Sequence, residues 1–458
     1  MVFFHIYKVK FIVYNEKERS DYMKYYCIGI KGTGMSTLAQ ILSDLGADVS
    51  GYDDAKDYKF TQKGLEERNI KIYYDNEHDI DSDTIVTYSV AFSEEHPEIK
   101  RVKDMGLTIK KYNEIVGDVV DMFSTIGVSG THGKTSTSSL IRHILEDTIG
   151  CNYFVGAGDG HATLDNKYFV IESDEFNRHF LAYHPTYSII TNIEEEHMEI
   201  YKDIDDIRNT FEKFANQTKN FVIACGDNAE IKKIDFNKKV IFYGVNSNNN
   251  IVIKNEKLNE RGSSFDLYEN NNLLGNFNIP LYGHHMVLNA TAAIIMCLNI
   301  GISKDDIESS LKSFENATRR FAISNVGNTI IIDDYAHHPT EIKVTLDAVK
   351  QKYPDKNLVV IFKPNTYSRT KDFTDEFIKS FAAADKVFLT EIESNREKQE
   401  DYPGVSSRMI TDKITNSEII DENNVKFIKE YKNSVICIMS CASVSHLIDN
   451  IKSELKDE

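Results

Sequence analysis

No stretch of this chain approaches the roughly 18 uninterrupted apolar residues that a helix needs to cross a bilayer. The apolar opening from Met1 to Tyr14 is broken by Lys8 and Lys10, and no small-residue cleavage site follows it. It therefore reads as an added strand or arm, or as a start placed before a functional Met23, and not as a signal peptide. Positive charge is also scarce: 53 Lys and Arg face 71 Asp and Glu, a formal net charge of −18 at pH 7. That balance argues against a nucleic-acid partner, whose phosphates attract basic surfaces. Paired cysteines are missing too. Cys27, Cys151, Cys225, Cys297, Cys437 and Cys441 are scattered with no Cys-x-x-Cys, which speaks against a disulfide framework or structural zinc and predicts reduced, cytosolic thiols. No internal repeat is found, so the chain is not read as an array.

What is present begins with size. At 458 residues the chain exceeds one ordinary core, and two to four domains are expected. A composition of 41% hydrophobic and 27% charged residues places it among globular proteins. The most informative segment is Gly130-Thr131-His132-Gly133-Lys134-Thr135-Ser136, between an apolar run at Phe123–Val128 and a helix-like run at Ser138–Leu145. Strand, glycine-rich turn, Lys-Thr and helix is the arrangement that cradles a nucleotide's phosphates. The glycines let backbone N–H groups approach phosphate oxygens, the helix N-terminus and Lys134 add positive charge, and the Thr135 hydroxyl can ligate Mg²⁺. The strict phosphate-loop spacing asks for glycine at position 128, where this chain has Val128. The bland alternative is a glycine turn before an ordinary helix, and it is outweighed by the flanking strand and helix. In so acidic a protein a polyanionic nucleotide needs locally concentrated cations, so a metal is expected.

A first βαβ unit runs from a strand at Tyr25–Ile30 through Gly29–Ser36 and a helical run at Leu38–Leu45 to a strand at Ala47–Tyr52 ending on Asp53. Its glycine order, G-x-x-G-x-G, is not the dinucleotide order, which weakens an NAD reading and leaves a diphosphate site at a helix N-terminus. A second unit, 123 to about 317, has strands at 168–173, 187–193 and 220–226, a helix at 203–217, short antiparallel β runs over 240–280, and a helix at His284–Leu298. The cluster Asn246–Asn250 reads as a surface loop. From about Arg319, strands at 329–333, 358–363, 386–392 and 435–440 alternate with helices at 339–352, 371–383 and 442–455, with Pro339 at a first helical position.

Three signatures in this order, one per α/β unit, resemble the Mur ligases of peptidoglycan synthesis. The matching segments are Gly29–Ala39, Gly130–Ser136, Glu172–Phe180, Thr191–His197, Arg319–Phe321 and Asp333–Glu341 (DDYAHHPTE), and the resemblance covers roughly 23 to 458. It implies an α/β fold in three domains: a Rossmann-like N-terminal UDP-sugar domain at 23–122, a central P-loop ATPase-like α/β domain at 123–317 and a C-terminal Rossmann-like amino-acid-binding domain at 318–458, after an extension at 1–22. The details look most like the alanine-adding members. The implied reaction is ATP-dependent ligation of L-alanine to the lactyl carboxylate of UDP-N-acetylmuramic acid through an acyl phosphate, with positioning and charge neutralisation carrying the rate.

The resemblance also implies roles. Lys134, His337 and Arg369 are placed at the chemistry: Lys134 on the β/γ-phosphates and Arg369 facing the transferring phosphoryl group. The general base is not assigned between His337 and His338. Gly130, Thr131, His132, Gly133, Lys134, Thr135, Ser136, Asn289 and Arg319 are expected to bind ATP. Gly32, Thr33, Gly34, Met35 and Ser36 are expected on the UDP diphosphate, with Asp53, Asn192, Arg178, Asp333, Tyr335 and His338 also on substrate. Thr135, Glu172 and His197 are the expected Mg²⁺ ligands; a carboxylate and a hydroxyl suit that hard cation, an imidazole less so. The expected cofactors and partners are ATP, Mg²⁺, UDP-N-acetylmuramic acid and L-alanine, with no nucleic acid and no membrane, in a cytoplasmic monomer or homodimer.

Several positions depart from the family pattern. Lys31 stands where many members have a second glycine, Met286 replaces an asparagine before Asn289, Asn365 replaces a histidine, and Ser440-Cys441-Ala442-Ser443 replaces Gly-Ala-Gly-Asp. One lost neutral hydrogen bond costs about 1 kcal/mol, which weakens ATP affinity without removing the chemistry. Two alternatives stay open: a related ligase with a different amino-acid or peptide acceptor, and a non-catalytic UDP-sugar-binding paralogue.

Overall fold

The computed structural model describes residues 23–156, 158–394 and 397–456. The arm expected at 1–22 lies outside the described residues. The chain divides into two compact units, one holding residues up to Tyr243 with Ala292–Ile302, the other Gly244–Thr291 with Ser303–Glu458.

The first unit opens with five parallel strands, β1 (Lys24–Ile28), β2 (Asp48–Tyr52), β3 (Lys71–Tyr73), β4 (Ile85–Tyr88) and β5 (Thr108–Ile109), in the order β3-β2-β1-β4-β5. Tyr25, Tyr26, Cys27 and Ile28 are all buried, because a parallel sheet is covered on both faces and its strands read as continuous apolar runs. Tyr26, Ile28, Tyr52 and Val86 pack with Ile99 and Val102 of the helix Pro97–Asp104. The strand order reverses at β1, so the glycine turn after it opens at a topological switch point, where α/β sheets bind ligands.

The same unit continues with β6 (Ser124–Ser129), β7 (Asn152–Val155), β8 (Asp159–His161), β9 (Tyr168–Glu172), β10 (Tyr187–Ile190), β11 (Phe221–Cys225) and β12 (Lys239–Gly244). They run β12-β11-β10-β6-β9-β7-β8, parallel except for the β7–β8 hairpin. That hairpin is not anticipated by the sequence. The helix after β6 spans Lys134–Thr148, a full turn earlier than its apolar periodicity suggests, because its first turn is polar and faces the loop.

In the second unit β13 (Ile251–Asn259), β14 (Gly262–Glu269) and β15 (Asn272–Ile279) form an antiparallel meander where short β runs were expected. Phe265 and Leu267 of β14, and Phe277 and Ile279 of β15, are buried while Asn276 and Asn278 are exposed, the period-2 pattern of a sheet with one covered face. The last strands are β16 (Ala322–Val326), β17 (Thr329–Asp334), β18 (Leu358–Phe362), β19 (Lys386–Leu389), β20 (Ser417–Ile419) and β21 (Val435–Met439), in the order β16-β17-β21-β18-β19-β20. All neighbours are parallel except β16–β17. Alternation sorts their side chains between two cores. Leu358, Val360 and Phe362 meet Ile342, Leu346 and Val349 of the helix Pro339–Lys352 on one face, while Val359 and Ile361 meet Leu447 and Ile451 of the helix Ser445–Lys456 on the other.

Three expected elements are corrected. The helix read at 371–383 is two helices, Tyr367–Asp372 and Thr374–Ser380, because Phe373 leaves the helical region (φ −114°, ψ 24°) and sets its ring edge-on to His338 at 4.9 Å. The strand read to residue 392 stops at Leu389, and the last helix starts at Ser445. The six cysteines are free thiols, five of them buried, and burial pushes Cys27 and Cys151 up to about 12. Among the described residues no helix is long and apolar enough to cross a membrane.

His285, in the helix His284–Asn299, carries a pH consequence. Burial, with the neighbouring His284, pushes it down to about 4 against the pull of Asp347 and Glu341. The unfolded chain binds the proton near its ordinary 6.5 while the folded chain does not, so stability falls as pH drops through that window. Urea titrations should show His285 accounting for about 2 kcal/mol of the loss between pH 7 and pH 5 as an upper bound, at 1.36 kcal/mol per unit. The His285→Gln variant should lose that much less over the same interval.

Candidate active site

The first turn is built from backbone and one buried lysine. Gly29 (φ +80°) and Ile30 donate to Tyr52 O at 2.7 and 3.1 Å. Lys31, 1% exposed, donates through Nζ to Ala55 O and Asp57 O, both at 2.7 Å, and the Thr61 hydroxyl donates to Lys31 O at 2.7 Å. The departure at Lys31 thus pins the segment after β2 onto the glycine turn. Asp53 braces the same turn: its two oxygens accept from Lys31 N at 2.9 Å and Ala55 N at 3.0 Å. The helix Thr33–Asp44 starts at Gly32 with no side-chain cap, so Thr33, Gly34 and Met35 present the helix N-terminus expected for a diphosphate. The Ser36 hydroxyl turns away to Thr61 O at 3.0 Å.

The second turn joins β6 to the helix Lys134–Thr148. Gly130 has φ +137°, and a Cβ there would sit 2.0 Å from the Thr191 hydroxyl, so only glycine fits. Gly133 (φ +83°) caps the helix. Thr131 N donates to Asn192 O (3.1 Å) and His132 N to Asn192 Oδ1 (2.8 Å), while Asn192 Nδ2 donates to His132 O (2.9 Å). Asn192, expected on substrate, is the side chain that holds the phosphate loop in shape. His132 also lies 3.6 Å from Glu194. Ser136 belongs to the helix's first turn.

Lys134 Nζ donates to Gly130 O at 2.6 Å and Thr131 O at 3.2 Å, and to both oxygens of Glu175 at 3.0 and 2.8 Å. Burial opposes its charge, but Glu175, Asp174 and Glu172 outweigh burial and hold its pKa above the ordinary lysine value. Burial pushes Glu175 up, and Lys134 opposes that shift. Glu175 is a site residue that sequence reasoning missed, although it lies inside the Glu172–Phe180 segment.

Thr135 Oγ1 donates to Glu172 Oε2 at 3.1 Å, so a hydroxyl and a carboxylate converge as a hard cation requires, and these two fit Mg²⁺. His197 (φ +57°) stands edge-on to Phe176 at 5.0 Å, with Nδ1 3.4 Å from Glu199. Burial lowers its pKa, but Glu199, Glu196, Glu175 and Asp174 raise it past the ordinary value. As a metal ligand His197 would have to be in its neutral form. Arg178 (φ +57°) is engaged with Asp206 at 2.8 Å and the Thr210 hydroxyl at 2.5 Å.

At the C-terminal end of β17 the second unit places Asp333, Tyr335, His337 and His338, and Arg319, which precedes β16, reaches across to this end and to the turn after β21. Arg319 (φ +57°) reaches Asp333 through Nε at 3.2 and 3.3 Å, and donates from its two terminal nitrogens to Ala442 O (2.8 Å) and Ser440 O (2.7 Å). Ser440 Oγ donates to Lys363 O at 2.8 Å and accepts from Ala442 N at 3.0 Å. The Ser440–Ser443 departure is thus an ordered turn fastened by Arg319. Burial raises the pKa of Asp333 while Arg319 opposes the shift. Tyr335 lies beneath the guanidinium groups of Arg319 and Arg320, at 5.5 and 4.9 Å.

The adjacent histidines part company. His338, buried, caps the helix Pro339–Lys352 and accepts from Thr340 N at 3.4 Å, whereas His337 places Nδ1 3.0 Å from Tyr335 O and 3.1 Å from Glu341. Arg369 sits in the helix Tyr367–Asp372, 3.5 Å from the Thr366 hydroxyl. Glu397, also missed, accepts from Tyr367 N (2.6 Å) and Ser368 N (3.2 Å) at that helix's start. Asn289 is buried and donates to the Met286 sulfur at 3.7 Å, so the substituted methionine is its neighbour and acceptor. Asn365 donates to Glu393 O at 3.4 Å.

Three family models match in order: the Mur ligase family catalytic domain over residues 24–124, the Mur ligase middle domain over 128–297, and the Mur ligase glutamate ligase domain over 319–443. A UDP-N-acetylmuramate–L-alanine ligase of Lactiplantibacillus plantarum is 43% identical over 92% of this chain and 96% of its own length. The enzyme of the same name from Ligilactobacillus salivarius is 40% identical over 94% and 98%. Among solved structures, the UDP-N-acetylmuramate–alanine ligase of Thermotoga maritima superposes with a TM-score of 0.78 at 23% identity, covering 95% of this chain and 99% of its own. A murein peptide ligase of Psychrobacter arcticus gives 0.67 at 22% identity over 95% and 99%. The chain, a three-domain α/β protein carrying every signature segment in order, belongs to the Mur ligase family.

Proposed function

We propose that the chain joins L-alanine to the lactyl carboxylate of UDP-N-acetylmuramic acid, with ATP as phosphate donor, in peptidoglycan precursor synthesis. The observation that carries this reading is the full-length similarity to enzymes of that name, at 43% and 40% identity. The phosphate loop supports it, with Lys134 held charged and the Thr135–Glu172 pair beside it. A lactyl carboxylate oxygen attacks the γ-phosphorus and ADP leaves; the alanine nitrogen then attacks the acyl carbon, phosphate leaves and the nitrogen gives up a proton. Lys134 neutralises charge on the β/γ-phosphates, and the N-termini of the helices Thr33–Asp44 and Lys134–Thr148 hold the two phosphate chains. When bound, Mg²⁺ held by Thr135 and Glu172, with His197 in its neutral form, supplies further neutralisation there. In this reading Asp333, Tyr335, His337 and His338 contact the amino acid and bound phosphates, Arg369 faces the transferring phosphoryl group, and Asn289 and Arg319 meet the nucleotide.

The domain divisions are 23–122, 123–317 and 318–458, in a cytoplasmic monomer or homodimer that uses neither nucleic acid nor membrane. The test is a coupled phosphate-release assay with each substrate omitted in turn. Release should require ATP, the sugar nucleotide and L-alanine together, and equal release without the sugar nucleotide would sink the assignment. The replaced residues Asn365 and Ser440–Ser443 favour one second reading, a different amino-acid acceptor. Mass analysis of products from a mixed amino-acid pool decides it: a clear alanine preference removes that reading.

A further inference from the structure

The helix Thr33–Asp44, whose N-terminus forms the first phosphate turn, is fastened at its far end by a side chain with no assigned role. Arg68 makes a bidentate pair with Asp44, Nε to Oδ1 at 2.7 Å and Nη2 to Oδ2 at 3.0 Å. Its remaining donors reach Gln40 Oε1 (3.1 Å), Gly64 O (3.1 Å) and, on β8, Gly160 O (3.0 Å). Asp44 also accepts from Ala162 N at 3.3 Å and meets His161 Nδ1 at 3.0 Å, while Gln40 Nε2 donates to Gly158 O at 2.9 Å. One guanidinium and two helix side chains therefore grip the β7–β8 hairpin along its second strand.

Glycines make the grip close. A Cβ on Gly160 would lie 2.6 Å from Thr37 Cγ2 and 3.1 Å from Ile41 Cδ1, so the hairpin rests directly on the helix. Gly156, the residue that follows β7, reaches the second phosphate site. A Cβ on Gly156 would lie 3.2 Å from Thr135 Cγ2 and 3.6 Å from Glu172 Oε1. Gly158 N donates to Gly156 O at 2.8 Å and Val155 pairs with Asp159, so the strand gripped by Arg68 is tied to the residue beside the two side chains that fit Mg²⁺.

We propose that Arg68, through Asp44 and the β7–β8 hairpin, is a positioning residue that sets the Gly156 backbone against Thr135 and Glu172 and so tunes Mg²⁺-dependent nucleotide binding. It acts through the hairpin and touches neither substrate nor metal. The fork is required because a lysine, with one point charge, cannot span Asp44, Gln40 and Gly160 at once. The inference rests on the reading of Thr135 and Glu172 as the Mg²⁺ pair.

The test is titration calorimetry of a non-hydrolysable ATP analogue into the full chain, in Mg²⁺ and in EDTA, so that no turnover is needed. The ratio of the two affinities is the readout. For Arg68→Met and Arg68→Lys that ratio should fall by about tenfold, the size typical of disturbed outer-shell partners of a metal site, with little change in EDTA. If Arg68 variants do not fold, Gly160→Ala pushes the hairpin off the helix from the other side and should shift the ratio the same way. An unchanged ratio in the folded variants, with only a lower melting temperature, overturns the proposal and leaves a merely structural clasp. Glu172→Gln separates the premises: if it leaves the ratio unchanged, the metal reading itself fails; if it moves the ratio and Arg68→Met does not, only the clasp is wrong.

Discussion

Replacing Lys134 with methionine is expected to lower phosphate release by about 10³-fold, the upper range for loss of one preorganised charge-stabilising group. The lesion should also be felt by the fold. Lys134 holds both oxygens of Glu175, whose side chain is 3% exposed, and removing it leaves a buried carboxylate beside Asp174. Breaking one side of a buried ion pair costs about 3–5 kcal/mol. Glu175 answers by taking a proton, since burial already pushes its pKa up and the counter-charge is gone. The sign follows. A carboxyl with a raised folded pKa binds its proton more tightly folded than unfolded, so the penalty is small below its unfolded value and grows as pH rises above it. Urea titrations of Lys134→Met should therefore show a larger deficit at pH 8 than at pH 5. Adding Glu175→Gln should recover most of the stability and none of the activity. A single variant as stable as the parent at pH 8 would mean that Glu175 is not held by Lys134.

That pair also marks where the sequence stops being legible. The Gly130–Ser136 loop is readable because its parts are contiguous: strand, two glycines and Lys-Thr are one local geometry. Glu175 is 41 residues from Lys134, and only the fold of β6 beside β9 brings them together, so no spacing announces it. Asn192 shows the same limit. Its place after β10 is readable, but its contact with the main chain of His132 is not, and the loop's shape depends on that contact. The paired histidines divide for a local reason: Pro339 starts a helix, which makes His338 the cap and leaves His337 before it, against Tyr335 O and Glu341. The break at Phe373 had no such signal, since apolar periodicity runs through it and a tertiary contact with His338 ends the helix. The β7–β8 hairpin is short and glycine-rich, and too small to show a period.

Arg319→Ala is expected to have the second largest effect, because one side chain satisfies three partners in the second unit. The guanidinium binds Asp333 and donates to the carbonyls of Ser440 and Ala442. Removing it strands a partly buried carboxylate and two acceptors, and the cost should reach about 3–5 kcal/mol. The Ser440–Ser443 turn then loses its fastening to β17, so kcat/KM for ATP and for L-alanine should fall together by about 10²-fold, as expected when positioning groups shift by an ångström. Lysine at 319 should recover only part of this, since a point charge cannot hold a carboxylate and two carbonyls in one plane. Backbone strain offers an independent check. Arg319 has φ +57°, a conformation costing a non-glycine residue about 1–2 kcal/mol. Arg319→Gly should therefore be more stable than Arg319→Ala by about that amount while equally inactive. If the glycine variant regained activity, backbone geometry at residue 319 would be what matters and the fork would not. If alanine and glycine were equally stable, the left-handed conformation at 319 would be carrying no strain.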